Sequence, residues 1–423
     1  MKVVIMAGGR GTRISSVAAD IPKPMIRVGN KPVLEHEIEC LRSQGFADFI
    51  ITVSHLGNII VDYFGDGSKF GVQIEYYFEK EPLGNAGALF KIKDKLTEDF
   101  LLLNADALFD VDFTRFIGHH KAKGGLVTLF THPNNHPYDS GLIVSDDNGS
   151  VEQWLTKEDK RPKWYQNRVN AGLHVISPKV LQKEVDTPKV DLDRQLLKPL
   201  AGSGEMFVYD SPEYVKDMGT PERYHAVCED FAAGRINAKN LKNKQKAVFL
   251  DRDGTINRYV GFLRDIEKFE LLPEAAEAIR AINESGYLVI VVTNQPVIAR
   301  GEVSPKELQQ IHNKMETLLG QVGAYVDDIY FCPHHPDKGF VGERPEYKID
   351  CECRKPKPGM LLQAAGKFNI DLEKSWMVGD SKNDILAGMA AGCKTALING
   401  NEENIGQTVT VNSLLDFAKR CIR

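Results

Sequence analysis

Two apolar runs, each ending in a loop suited to phosphate, constrain this chain more than any other feature. Residues 2–6 read as a strand that enters Gly8-Gly9-Arg10-Gly11-Thr12-Arg13. Residues 247–250 read as a second strand that enters Asp251-Arg252-Asp253-Gly254-Thr255. Glycines let a loop turn tightly and present free N–H groups to oxygen anions. Two carboxylates spaced two apart beyond a strand can point to one side of its C-terminal edge, where α/β sheets hold their ligands. A chain carrying both devices is expected to perform two consecutive reactions on one phosphorylated metabolite.

At 423 residues the chain suits two domains, each large enough to bury its own core. Its net charge of −5 gives no nucleic-acid footprint, so phosphate must be held by individually placed residues. No apolar run approaches the ~18 residues that span a bilayer, so no membrane partner is expected. The apolar start is too short for a signal peptide and breaks at Gly8-Gly9-Arg10, which favours the cytoplasm. Among seven cysteines, Cys332, Cys351 and Cys353 cluster, and in a large cytosolic chain that favours metal over disulfide. Cys40, Cys228, Cys393 and Cys421 lack patterned neighbours and read as buried or incidental thiols.

Short β-rich runs alternate with helical patterns in both halves. Residues 49–53, 74–78, 100–103 and 126–130 read as buried strands in the first half, and 288–292, 376–378 and 395–398 in the second. A helix is expected over 33–44, stopped by Gly45, and another from Pro273 to about Gly286. This alternation predicts α/β domains with parallel sheets under helices. The polar, basic stretch 232–246 reads as a solvated linker, giving domains at 1–232 and 247–423 with 233–246 between them.

The glycine loop does not stand alone. It is followed by Pro22-Lys23-Pro24-Met25, Lys31-Pro32, Glu81-Pro82-Leu83-Gly84-Asn85-Ala86-Gly87, Asn104-Ala105-Asp106, Asn170-Ala171-Gly172 and Asp217-Met218-Gly219-Thr220-Pro221. This ordered set resembles the sugar-phosphate nucleotidyltransferases over roughly residues 1–230. The resemblance implies a Rossmann-like mixed sheet, with Gly8, Gly9, Gly11, Gly84, Asn85 and Gly87 around the nucleotide. It places Arg13 and Lys23 on the phosphates, Asp106 and Asp217 on Mg²⁺, and Lys157, Asn170 and Gly172 on the sugar phosphate. Thr156-Lys157-Glu158 departs from the family's Glu-Lys-Pro, and Ala105 replaces a glycine. Such a transfer needs in-line positioning and charge neutralisation rather than a covalent nucleophile.

The second half supplies Thr293-Asn294-Gln295, Lys355, and Gly379-Asp380 with Asp384, in that order after Asp251 and Asp253. One carboxylate can attack phosphorus while the other protonates the leaving alkoxide and later activates water. This set resembles the haloacid dehalogenase superfamily, whose fold is a Rossmannoid parallel sheet. By that resemblance Asp251 is the nucleophile and Asp253 the general acid/base. Thr293 and Lys355 hold the phosphoryl group. Mg²⁺ takes Asp251, the Asp253 carbonyl and Asp380, with Asp384 nearby.

Between these motifs, Cys332, His334, Cys351 and Cys353 offer three sulfurs and an imidazole, a closed tetrahedral Zn²⁺ set with no position left for water. The adjacent His335 is not separated from His334 by spacing alone. Cys332-Pro333-His334-His335-Pro336 through Cys351-Glu352-Cys353-Arg354-Lys355 resembles the D-glycero-D-manno-heptose 1,7-bisphosphate 7-phosphatases, with histidinol-phosphate phosphatases as neighbours. Asn294 and Arg354 would then meet the substrate, Arg354 at its second phosphate or sugar. Pro296-Val297 replaces the family's Ser-Gly, and Ser381 replaces a common lysine.

Together the resemblances imply a fusion with heptose bisphosphate, heptose 1-phosphate and GTP as partners, Mg²⁺ in both domains and structural Zn²⁺ in the second. The nucleotide base is not legible in the loops. A mannose 1-phosphate guanylyltransferase, or another nucleotidyltransferase, joined to a histidinol-phosphate-type phosphatase is the alternative pairing. A non-catalytic regulatory half is the alternative of another class, opposed by the intact aspartates. A homo-oligomer is compatible with the sequence, which carries no pattern that sets it.

Overall fold

The computed structural model describes residues 1–9, 14, 20–182, 189–339, 341–399 and 404–422. The chain forms two compact units: Met1–His132, Ile143–Leu155 and Asn170–Asn240, then Pro133–Leu142, Thr156–Val169 and Leu241–Arg423.

In the first unit, Val3–Met6 lies between the parallel strands Asp48–Val53 and Phe100–Asn104. Gln73–Phe78 adds parallel on the far side of Asp48–Val53. Val169–Ile176 runs antiparallel to Phe100–Asn104, so the sheet is mixed, as the family resemblance implies and strand–helix alternation alone does not. Val3 and Ile5 enter one core with Leu34 and Ile38 of the helix Val33–Arg42, while Val4 enters the opposite core with Leu89 and Leu102. Burial on both faces is why the strand reads as an unbroken apolar run. A small ladder pairs Ala107–Asp110 antiparallel with Tyr214–Asp217.

The second unit holds a six-stranded parallel sheet, in the order Asp328–Cys332, Leu288–Asn294, Ala247–Leu250, Trp376–Gly379, Lys394–Ile398 and Val409–Val411. Val248 and Leu250 face one core, Ala247 and Phe249 the other. All of these C-terminal ends share one edge, which is where the phosphatase motifs fall.

Two expectations about organisation do not hold. The stretch 232–246 is not solvated throughout: Asn240, Leu241 and Gln245 are buried. Asn240 Nδ2 donates to Asp110 Oδ1 at 2.8 Å, and Gln245 exchanges backbone hydrogen bonds with Asn369 and Asp371 at 3.0 and 2.8 Å. Its run of lysines and arginines made this segment look like a linker, yet its buried polar groups find the hydrogen-bond partners that burial demands. The cut is also discontinuous, because 133–142 and 156–169 belong to the second unit. There Tyr165 N donates to Thr317 Oγ1 at 2.9 Å and the buried Arg168 pairs with Glu316 at 3.1 Å. No helix among the described residues is long and apolar enough to cross a membrane.

Candidate active sites

The parallel strands Ala247–Leu250 and Trp376–Gly379 deliver Asp251 and Asp380 to neighbouring positions at one sheet edge. Lys355 Nζ donates to Asp251 Oδ1 at 2.7 Å, to Asp384 Oδ1 at 2.5 Å and to Val292 O at 2.7 Å. Asp251, Lys355 and Asp384 are 8%, 3% and 1% exposed, so this charge network is assembled away from water. One oxygen each from Asp251, Asp380 and Asp384 lies within 4.8 Å of the others, a set that suits an oxygen-seeking divalent cation. Two glycines allow this crowding. A Cβ on Gly254, which sits at φ +86°, would lie 1.9 Å from Asp380 Oδ2, and one on Gly379 would lie 2.4 Å from Asp384 Cγ.

The electrostatics suit a divalent cation. Burial pushes the Asp251 carboxyl up to about 7, with Asp384 and Asp253 adding to the rise and Lys355 opposing it. Burial raises Asp380 to about 6, helped by the negative charge of Asp384. Burial pulls the Lys355 ammonium down, but Asp251 and Asp384 outweigh it and raise its pKa. Buried carboxylates that repel one another gain most from a divalent ion, which reverses both effects.

Asp253 is held differently. It accepts from Arg252 Nη2 at 2.8 Å, Asn257 Nδ2 at 3.0 Å and Gln295 Nε2 at 2.8 Å. Burial alone would raise its pKa; Arg252, then Asn257 and Gln295, outweigh burial and hold it below the usual carboxylate range. Thr293 is buried, and its Oγ1 accepts from the same Gln295 amide at 2.9 Å. Asn294, expected at the substrate, is engaged elsewhere. Its amide donates to Lys355 O and accepts from Lys355 N, both at 3.0 Å, so it fixes the backbone that carries the lysine. Arg354 Nη1 donates to His334 O at 3.1 Å, which ties the residue before Lys355 to the cysteine loop.

In that loop the ligand atoms of Cys332, His334, Cys351 and Cys353 all lie within 4.8 Å of one another. The sulfurs are 3.3–3.5 Å apart, and His334 Nδ1 is 3.4 Å from Cys353 Sγ. These gaps are far too long for disulfides and near the ~3.8 Å edge of a tetrahedron of sulfurs around zinc. Within this coupled cluster the contact with Cys332, then those with Cys351 and His334, lower the Cys353 pKa, while the contact with Cys353, then burial, raises that of Cys332. His335 turns away, its Nδ1 accepting from Asp337 N at 3.2 Å. The geometry selects His334.

In the first unit, Ala107–Asp110 and Tyr214–Asp217 bring Asp106 and Asp217 together: Asp217 lies opposite Ala107, and Met218 N donates to Asp106 O at 2.9 Å. Lys23 Nζ donates to Asp106 Oδ2 at 3.0 Å, while Arg223 Nη1 spans both oxygens of Asp217 at 2.9 and 3.0 Å. Ser54 Oγ donates to Gly8 O at 2.6 Å, and Gly9 is exposed, with no atom of the described residues within 4 Å of where its Cβ would lie. Gly11 and Arg13 lie outside the described residues. Gly84, at φ +80°, has no room for a Cβ, which would meet Val190 O at 2.4 Å. Asn85 Oδ1 accepts from Leu192 N at 2.7 Å, and Gly87 opens the helix Gly87–Ile92. Asn170 Oδ1 accepts from Gly172 N at 3.3 Å and faces His174 Nε2 at 3.1 Å. A Cβ on Gly172 would sit 2.7 Å from Asn104 Nδ2, so these motifs converge. Lys157 is exposed, in the segment Thr156–Val169 of the second unit.

Residues the sequence reading passed over also line these sites. Arg252 and Asn257 brace Asp253, and Glu79 lies against Gly8. Arg252 could have been noticed between two motif aspartates. Glu79 carried a weaker signal, a carboxylate just past the end of an apolar strand.

The family model for nucleotidyl transferases matches residues 2–233, more than half of the chain. The chain belongs to the nucleotidyl transferase family. A second model, for HAD-hydrolase-like proteins, matches residues 352–412. Beyond its nucleotidyl transferase half, the chain is 45% identical over 155 residues to a D-glycero-beta-D-manno-heptose-1,7-bisphosphate 7-phosphatase of Pasteurella multocida (strain Pm70), covering 36% of this chain and 81% of that protein. Its second half belongs with those phosphatases. The nucleotidyl transferase half is 36% identical over 223 residues to a UTP--glucose-1-phosphate uridylyltransferase of Synechocystis sp., covering 49% of this chain and 57% of that protein. It is 30% identical over 231 residues to a probable mannose-1-phosphate guanylyltransferase 1 of Oryza sativa subsp. japonica, covering 53% of this chain and 63% of that protein. One polypeptide thus joins a nucleotidyltransferase to a phosphatase of the haloacid dehalogenase type.

Proposed function

We propose that the chain converts a heptose 1,7-bisphosphate into a nucleotide-activated heptose by two reactions in series. The observation that carries this reading is the fusion itself. The relatives of the second half remove the 7-phosphate of D-glycero-D-manno-heptose 1,7-bisphosphate, which leaves a sugar 1-phosphate. Sugar 1-phosphates are what the named relatives of the first half take.

In the phosphatase step Asp251 attacks phosphorus, the P–O bond to C7 breaks, and Asp253 protonates the departing alkoxide. Asp253 then takes a proton from water as that water attacks the aspartyl phosphate, releasing phosphate and restoring Asp251. Lys355 and Thr293 hold the phosphoryl oxygens. Mg²⁺ would be held by Asp251, the Asp253 carbonyl and Asp380, supplying charge for the transferring group. Zn²⁺ bound by Cys332, His334, Cys351 and Cys353 would fasten the loop that leads into Arg354 and Lys355.

In the transferase step the sugar phosphate oxygen attacks the α-phosphate of GTP, forming GDP-heptose as pyrophosphate leaves. Gly8–Gly11 and Gly84–Gly87 would wrap the nucleotide, Lys23 and Arg13 would neutralise its phosphates, and Asp106 with Asp217 would hold Mg²⁺. Asn170 and Gly172 would border the sugar. GTP is favoured by the guanylyltransferase relative, and UTP is the second reading because of the uridylyltransferase relative. The chain would work as a cytoplasmic enzyme on small molecules.

Incubation of the purified protein with heptose bisphosphate, Mg²⁺ and each nucleoside triphosphate, followed by mass spectrometry, tests this. Inorganic phosphate, pyrophosphate and GDP-heptose are expected. Phosphate release with no nucleotide sugar from any triphosphate would refute the series.

A further inference from the structure

Asn170, Gly172 and His174 alternate along the strand Val169–Ile176, so they face one side of the sheet while Leu173 and Val175 face the other. His174 lies opposite Leu102, and its side holds the apolar core of Val4, Leu102 and Ile176. The imidazole is fully buried there, where an apolar side chain would pack without desolvating polar nitrogens. Its Nε2 lies 3.1 Å from Asn170 Oδ1, while Nδ1 has no hydrogen-bond partner among the described residues.

A backbone group with no choice of role decides which atoms carry hydrogen. Gly172 N–H can only donate, and it reaches Asn170 Oδ1 at 3.3 Å, so the amide atom there is the oxygen. The ring nitrogen that faces the same oxygen must then carry a proton. Burial pulls the His174 pKa down to about 4, so the neutral ring has a single N–H, and Nε2 holds it. Two donors thus hold Asn170 Oδ1 toward the sheet, and a flipped amide would set N–H against both. The Nδ2 donors belong to a half-buried side chain and make no hydrogen bond among the described residues.

We infer that His174 is a positioning residue for nucleotidyl transfer, fixing Asn170 so that it meets the sugar 1-phosphate only as a hydrogen-bond donor. This rests on the transferase reading above, in which Asn170 borders the sugar. The group opposite Asn170 is then an acceptor oxygen of the sugar 1-phosphate. An amide free to turn would meet a donor or an acceptor equally well and would lose freedom on binding. The preset amide avoids that cost and discriminates against a group that only donates, such as an ammonium.

Initial rates of pyrophosphate release by the full-length protein test it, with Mg²⁺, varied heptose 1-phosphate and the triphosphate it uses, GTP or UTP. His174→Gln sets an amide nitrogen near the place of imidazole Nε2 and still donates to Asn170; His174→Leu does not. The Leu variant should raise KM for heptose 1-phosphate about 10-fold, the value of one hydrogen bond, with kcat and KM for the triphosphate within about twofold. The Gln variant should recover most of that loss. In an Asn170→Ala background, His174→Leu should move the sugar KM by no more than about twofold, because the amide it positions is gone. A histidine that only fills space gives another pattern: leucine tolerated and glutamine harmful, or both KM values moved together. Either pattern, or a full effect of His174→Leu without Asn170, overturns the role of His174 and leaves the transferase reading standing. If the Leu variant does not fold, Asn170→Asp decides. It keeps an oxygen for His174 and Gly172 and replaces the outward N–H pair by an acceptor, so the sugar KM should rise about 10-fold or more, and an unchanged KM overturns the proposal. Wild-type protein that releases no pyrophosphate with either triphosphate overturns the transferase reading and this role together.

Discussion

The two candidate sites both set carboxylates at strand ends, with opposite degrees of preparation. In the second unit Asp251, proposed as the nucleophile, Lys355 and Asp384 are buried and already bonded to one another. In the first unit the Asp106 and Asp217 side chains are 32% and 45% exposed, and their partners are the charged ends of Lys23 and Arg223. The difference suits the proposed chemistry. A covalent phosphoenzyme needs its nucleophile fixed before substrate arrives, because the protein itself is a reactant. Transfer between two bound ligands needs only positioning, and the triphosphate brings much of the charge that completes the site.

The sharpest way to break this comparison is Asp251→Asn. Phosphate release should fall by about 10³-fold or more, as for loss of a nucleophile, while nucleotidyl transfer from supplied heptose 1-phosphate stays within about twofold. Loss of both activities in a folded protein would end the case for separate sites. The reciprocal Asp106→Ala should lower nucleotidyl transfer by about 10²- to 10³-fold and leave phosphate release unchanged, read by pyrophosphate and phosphate assays on one sample. Lys355→Met should destabilise the second unit by about 3–5 kcal/mol in chelator, since Asp251 and Asp384 then stay buried with no cation. Denaturant melts of the two proteins would show it, and an unchanged midpoint would mean that water reaches the network. Cys351→Ser should lower the metal content measured by elemental analysis from about one zinc per chain, with a smaller loss of phosphatase activity.

The smallest effect concerns acid. Burial pushes His174, beside Asn170 in the first unit, down to about 4. An unfolded histidine titrates near 6.5, so between these values the unfolded chain binds a proton that the native chain refuses. Stability from this group is full above about pH 6.5 and is lost as pH falls toward 4, by about 3 kcal/mol in total. His174→Gln should flatten that part of the pH dependence in urea melts. An equally steep profile in the variant would assign the acid sensitivity to another group.

Much of this was legible in the sequence because strands buried on both faces announce themselves as apolar runs, and strand-end motifs then mark the sheet edge. Residues 247–250 and 49–53 are strands where the pattern puts them. The cysteine spacing likewise indicated a closed cluster, although only the fold chose His334 over His335. What stayed hidden depends on contacts far apart in the chain. Asn294 looks like a substrate ligand in its motif, yet its amide meets Lys355, 61 residues away. The segment 156–169 carries no signal that its partners are Thr317 and Glu316. Glu79 gains significance only when register brings it to Gly8.

Gly254 and Gly379 give the phosphatase half an uneven tolerance to change. A methyl group at either position would have to occupy the space of Asp380 or Asp384, and backbone on a sheet edge has little freedom to retreat. A library of single substitutions should therefore find these two small positions as intolerant as Asp251, though the proposed reaction uses no atom of either. Here the limit on variation is set by how closely two strand ends can approach.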